Sequence, residues 1–129
     1  MSGNTATASI KLNEVRATLM MAMELGESGW LLGFASEYGQ RPLRRKVKTR
    51  DGIAVLEQIE WAKQRLGLPA NAPVVSCYEA GRDGFWLHRF LVAHGVENLV
   101  VDSASIEVNR RKRRAKSDRI DLVALLDLS

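Results

Sequence analysis

Short apolar runs closed by turn residues recur along the first half of the chain and predict strands. Residues 18–25 form a nearly continuous apolar run, which is typical of a central strand covered on both faces. The glycines within residues 26–29 predict a tight turn, so residues 30–35 should form a hairpin with the first strand. Residues 43–47 predict a third strand, and their polar character favours the edge of the sheet.

The second half of the chain predicts helices that alternate with strands. Asp51 is suited to cap a helix whose apolar side chains recur at helical spacing until Gly67 and Pro69 end it. A fourth strand is then predicted over residues 73–79, with Glu79 as its last residue. These elements would bring the chain back to the sheet through a helical crossover.

Two further helices and a fifth strand complete the predicted order. A turn at residues 81–84 leads into a helix with Leu87 and Leu91 on its apolar stripe, and a strand over residues 98–102 follows. After a basic segment, Ser117 is suited to cap a last helix over residues 118–128. The order β-β-β-α-β-α-β-α predicts an α/β fold with a mixed five-stranded sheet and helices on both faces.

Length and composition favour a single domain. The chain has 129 residues, of which 46% are hydrophobic, so it can bury a core, and residues 1–17 are expected to be a flexible leader. The leader lacks the apolar stretch of a signal peptide, and no segment is apolar enough to span a membrane. The single cysteine, Cys77, excludes an intrachain disulfide and a multi-cysteine zinc site, so we expect a cytoplasmic protein.

The positive charge of the chain is concentrated in two short segments. The net charge is +4 and the isoelectric point is about 9.6, yet most of the nineteen basic residues belong to two clusters. One such run alone would favour a solvated loop, but two runs in a small domain favour a polyanion as partner. The clusters comprise Arg41, Arg44, Arg45, Lys46, Lys48 and Arg50, and Arg110, Arg111, Lys112, Arg113, Arg114 and Lys116.

Four acidic residues fall where the predicted elements end or begin. Glu24 closes the first strand and Glu79 closes the fourth, while Asp118 and Asp121 share one face in the first turn of the last helix. Singly, each acid has a structural explanation, such as a helix-dipole partner or the start of a loop. Together, at the carboxyl edge of an open sheet, they predict a site for Mg²⁺ or Mn²⁺.

Similarity to a known family is found in four segments: residues 20–34, residues 77–81, residues 85–95 and residues 113–121. They resemble the N-terminal domain of the DEDD insertion-sequence transposases, the bridge-RNA-guided recombinases. The element order is similar to the ribonuclease-H-like fold of Holliday-junction resolvases. The resemblance covers residues 18–128, and its most specific part is similar to the family's K-[ST]-D-x-x-D signature.

The resemblance implies both a site and partners. It makes Glu24, Glu79, Asp118 and Asp121 the catalytic acids, which bind Mg²⁺ for DNA cleavage and strand exchange. It implies DNA and a structured guide RNA as partners, and a multimer such as a homodimer. The residues expected to contact nucleic acid are Arg44, Arg45, Arg110, Arg111, Lys112, Arg113, Arg114 and Lys116.

The chain departs from the family pattern at two points. Glu24 stands where the family usually has Asp, and one extra methylene moves the carboxylate by about 1.5 Å. The chain also stops at Ser129, without a counterpart of the family's second domain, which carries a nucleophilic serine. We therefore expect this domain to be inactive alone.

Two alternatives stay open from the sequence. One is a non-catalytic nucleic-acid-binding remnant of a transposase. The other is a nucleotide-binding or regulatory protein with a related actin-like or resolvase-like fold. It should have a glycine-rich phosphate hairpin after the first strand, although residues 26–29 offer no lysine. Cys77 is not expected to be a catalytic thiol, and His88 and His94 face different directions. Tryptophans favour core positions, with Trp86 as the best candidate for base stacking.

Overall fold

The computed structural model describes residues 17–37, 40–81 and 84–102, which form a five-stranded sheet with two helices. This confirms the prediction of an α/β fold with a mixed sheet. The last predicted helix, the leader up to residue 16 and the second basic cluster lie outside the described residues. The elements are β1 (Leu19–Leu25), β2 (Trp30–Ala35), β3 (Leu43–Val47), α1 (Gly52–Arg65), β4 (Val74–Glu79), α2 (Gly84–Ala93) and β5 (Val96–Val101).

The strands lie in the order β3-β2-β1-β4-β5, so β1 is central and β3 is at an edge. β1 and β2 are antiparallel because a short hairpin joins them, closed by the Gly26 N–H, which donates to the Gly29 carbonyl at 3.2 Å. β4 pairs in parallel with β1 and with β5. Parallel pairing requires crossover connections, and α1 and α2 provide them.

Most element boundaries agree with the prediction, and the fifth strand is the exception. β5 begins at Val96 rather than at Asn98. Gly95 has a φ of +82°, a conformation that glycine adopts without strain. The chain therefore leaves the helix abruptly, and Val96 already pairs with Val74. The predicted cap of α1 is confirmed, since the Asp51 carboxylate accepts a hydrogen bond from the Ala54 N–H at 2.9 Å.

The two described helices pack on the same face of the sheet. The main core there is fully buried, and its largest side chains are Trp30, Tyr78, Phe34, Leu19, Met21, Met23, Leu32, Leu87 and Leu91. The opposite face carries a smaller buried cluster of Ala22, Cys77 and Val101. Helices on both faces stay a prediction, because the remaining predicted helix lies outside the described residues.

Neither of the described helices combines the length and the apolar composition that a membrane-spanning helix requires.

Candidate functional site

Glu24 and Glu79 lie beside each other at the carboxyl ends of two neighbouring parallel strands. The parallel pairing of β1 and β4 runs up to Met23 opposite Tyr78, so the next position in the same register places Glu24 beside Glu79. Parallel neighbours are about 4.8 Å apart. Both glutamates are exposed. The structure therefore brings two of the four predicted acids together.

The two glutamates share the face of the sheet that lies opposite the described helices. Side chains alternate between the faces of a strand, so Glu24 follows Ala22 and Glu79 follows Cys77 on the side of the smaller buried cluster. Asp118 and Asp121 lie outside the described residues, and their predicted place beside the glutamates is untested.

Carboxylate pairs suit hard divalent cations, which prefer oxygen ligands. Within the described parts of the chain, no three side chains of His, Cys, Asp or Glu come close enough together to hold a metal ion. The glutamate pair alone therefore offers part of a coordination sphere. A complete site would need ligands from elsewhere, and the predicted aspartates are of the right chemical type.

The two histidines contact groups around α2. The Nδ1 of His88 is 2.9 Å from the Nδ2 of Asn98, which makes this ring nitrogen the acceptor. The Nδ1 of His94 is 2.8 Å from the Phe90 carbonyl and acts as the donor. Each imidazole thus supports packing around α2.

Basic side chains reach the same edge of the sheet as the glutamates. The Thr49 hydroxyl lies 3.2 Å from the Glu27 carbonyl and donates to it, which ties the turn after β3 to the turn after β1. Lys48 and Arg50 are exposed in this loop, and Arg50 has a φ of +64°, which is uncommon for a residue with a side chain. We call this edge the carboxyl rim; it comprises residues 24–29, residues 47–53, residues 79–81, residues 84–86 and residues 101–102.

The two predicted nucleic-acid contacts on β3 point to opposite faces of the sheet. Arg44 pairs with Gly33, whereas Arg45 pairs with Leu32 on the helix side. The guanidinium of Arg45 lies 4.2 Å from the ring centroid of Trp61, and its Nε donates to Gln58 at 2.7 Å. Arg45 therefore holds α1 against the edge strand, a role that sequence reasoning missed because the partners are separated by a loop.

Cys77 packs in the smaller buried cluster. It is fully buried between the strands, and burial raises the pKa of its thiol from 9.0 to about 12. A reactive cysteine needs an accessible thiolate, and this thiol is neither accessible nor ionised near neutral pH. A catalytic role is therefore excluded by the environment of the side chain.

Trp86, Phe90 and His94 form a row of ring side chains along one side of α2, starting in its first turn. Trp86 stacks on the buried Trp30 with 6.0 Å between ring centroids and meets the edge of Phe90 at 6.2 Å, and Phe90 lies 4.4 Å from His94. Phe85, beside this row, is 84% exposed. The sequence analysis considered Trp86 for base stacking but missed Phe85. The available signal was their adjacency, because two consecutive residues of a helix cannot both face the protein core.

No family model matches the chain. The chain is 40% identical over 108 residues to a curated protein of Sinorhizobium fredii (strain NBRC 101917 / NGR234) named "Putative transposase y4rJ". The match covers 80% of this chain, which spans only 27% of that protein. This similarity supports the transposase part of the expectation and does not test the acids, the metal or the guide RNA.

Among solved structures, the chain is similar to YeaZ from Pseudomonas aeruginosa, with a TM-score of 0.45 and 15% sequence identity. The match covers 74% of this chain and 49% of that chain. A likeness at this TM-score carries no argument about fold or function.

Proposed function

We propose that this chain is the ribonuclease-H-like N-terminal domain of a DEDD-type transposase. In this proposal, Glu24 and Glu79 act with Asp118 and Asp121 to hold Mg²⁺ or Mn²⁺ for phosphodiester cleavage and strand transfer. The observation that carries it is the parallel register of β1 and β4, which runs to Met23 opposite Tyr78 and, continued by one position, puts Glu24 beside Glu79. The 40% identity to a protein named as a transposase supports the same conclusion.

Two carboxylates side by side favour a divalent cation between them. Like charges at neighbouring positions of a sheet destabilise it, and nothing in strand propensity favours glutamate there. A divalent cation between the carboxylates would replace the repulsion by two attractions. Once bound, such an ion would stabilise the charge that develops on the leaving oxygen of a phosphodiester.

The basic clusters support nucleic acid as the partner. Arg44, Lys46 and Lys48 are exposed on or next to the edge strand, where they could contact phosphates. We propose DNA and a structured guide RNA as ligands, and a homodimer or larger assembly as the working form. The chain spans 27% of its transposase relative. We propose that the domain is inactive alone.

Metal titration tests the proposed site. Isothermal calorimetry with Mn²⁺ and Mg²⁺ should detect weak binding to the parent chain. Binding should be lost in Glu24→Gln/Glu79→Gln and in Asp118→Asn/Asp121→Asn, because each pair of substitutions removes two anionic oxygen ligands.

Glu97 provides a matched control for this titration. It is exposed on β5 of the same sheet but lies at the opposite end, opposite Val75, so Glu97→Gln should leave metal binding unchanged. Equal binding by the parent and both double variants would remove the ligand assignment. In that case, retained nucleic-acid binding would favour the non-catalytic remnant.

A further inference from the structure

Phe85 is the most exposed large hydrophobic side chain in the described residues, and its position is specific. It is 84% exposed in the first turn of α2, immediately after the loop that leaves β4 at Glu79. Exposing a phenylalanine forfeits the gain from burying its ring. A ring held at the carboxyl rim in this way is available to a ligand that reaches the rim.

Contacts of the neighbouring Trp86 fix the position of the first turn of α2. One face of its indole is stacked on the fully buried Trp30, and Phe90 packs against its edge. Phe90 in turn contacts the start of α1, because a Cβ added at Gly52 would lie 2.7 Å from its ring. The first turn of α2 is thus fixed to the sheet and to α1, while Trp86 keeps 37% of its surface exposed.

Exposed basic residues occur on α2 beside the aromatics and in a neighbouring loop of the carboxyl rim. Arg89 is exposed one helical turn after Phe85, so both lie on the same side of α2. Lys48 and Arg50 are exposed in the loop that leads into α1. Aromatic rings next to positive side chains match an unpaired nucleotide, whose base stacks on the ring while its phosphates contact the cations.

The geometry points to Phe85 and Trp86 as a stacking platform for an unpaired base of single-stranded DNA or RNA at the carboxyl rim. This inference rests on the proposed function, since it places the nucleotide at the edge that carries Glu24 and Glu79. The platform would hold a strand by its base, independently of sequence, because every base has a π face.

Binding of labelled oligonucleotides tests the platform. Fluorescence polarisation with a single-stranded 12-mer (a length of about one small binding site) should show that Phe85→Ala weakens binding about ten-fold. Phe85→Trp should retain the affinity, because it keeps a flat ring. An oligonucleotide with abasic sites throughout should bind the parent and Phe85→Ala equally, since it offers no base to stack.

Val92 provides the control against a protein interface. It is 51% exposed on the same side of α2, about two turns further from the rim. Val92→Asn, which adds no charge next to Arg89, should not change oligonucleotide affinity. If Phe85→Ala and Val92→Asn both leave oligonucleotide binding unchanged but shift the sedimentation coefficient towards that of a monomer, the surface is a contact between copies and the platform is refuted.

The remaining outcomes separate this inference from the proposed function. The platform would be overturned if the parent does not bind single strands measurably, even if it binds Mn²⁺. It would also be overturned if Phe85→Ala loses the same affinity for intact and for abasic oligonucleotides. A base-dependent effect of Phe85→Ala in a chain that binds no metal would support the platform and overturn the metal site.

Discussion

At the scale of the residue, burial decides the chemistry of Cys77. The thiol lies in the small cluster with Ala22 and Val101, whose apolar side chains cannot solvate a thiolate. Desolvation of the charged form raises the pKa of Cys77 from 9.0 to about 12. The folded chain therefore binds this proton more tightly than the unfolded chain does, and stability depends on pH through that difference.

The parent should lose stability relative to Cys77→Ala as the pH rises from 9 towards 12. Below pH 9 both the folded and the unfolded thiol are protonated, and the full contribution of Cys77 is present. Above pH 9, the thiol of Cys77 ionises only in the unfolded chain. The free energy of unfolding of the parent should therefore fall by about 1.4 kcal/mol per pH unit relative to the variant. Urea unfolding at pH 8, 9 and 10 measures this, and parallel curves for the two proteins would contradict it.

At the scale of the element, the packing of α1 against α2 depends on a glycine. Gly52 is buried at the first position of α1, and an added Cβ would lie 2.7 Å from two carbons of the Phe90 ring. The helix gains nothing from glycine itself, because alanine has the higher helix propensity. The close approach of Phe90 is the reason that this position requires a residue without a side chain.

Gly52→Ala should destabilise the chain by about 1 kcal/mol, because the clash outweighs the gain in helix propensity. Phe90→Leu should also destabilise, through the loss of ring packing. The double variant should be more stable than the sum of the two losses predicts, with a coupling of about 1 kcal/mol in urea unfolding. Strict additivity would mean that the ring moves aside freely and that the contact does not constrain α1.

At the scale of the whole molecule, the basic side chains of the edge strand β3 are divided between the two faces of the sheet. Arg44 and Arg45 point to opposite faces of β3, so a single phosphate backbone cannot use both in the same way. Arg45 is already engaged by Trp61 and Gln58. We therefore expect Arg44, on the face of the glutamates, to contribute more to nucleic-acid binding.

Arg44→Gln should reduce the slope of log K against log[salt] for duplex DNA by about 0.9, the value for one lost phosphate contact. Substituting residues 110–114 together should reduce it further. Arg65→Gln is the control, because Arg65 is exposed at the end of α1 far from both clusters in sequence. An unchanged slope in Arg44→Gln would remove this residue from the interface.

Local pattern was sufficient for most of the fold. The apolar run of β1, the polar edge strand β3 and the cap at Asp51 were each predicted correctly, because strand alternation, helical spacing and capping act over a few residues. The start of β5 was missed because parallel pairing with β4 extends that strand to Val96. No local signal at residues 96–97 indicates a partner 22 residues earlier.

The amino-acid sequence by itself determined the order of strands and helices, the burial of their apolar faces and the expectation that Glu24 and Glu79 meet at one edge. Only the tertiary structure decided the register that puts those glutamates on the same face, the opposite directions of Arg44 and Arg45, and the exposure of Phe85. The reason is physical: these features depend on contacts between segments remote in the chain, whereas propensity and periodicity act between close neighbours.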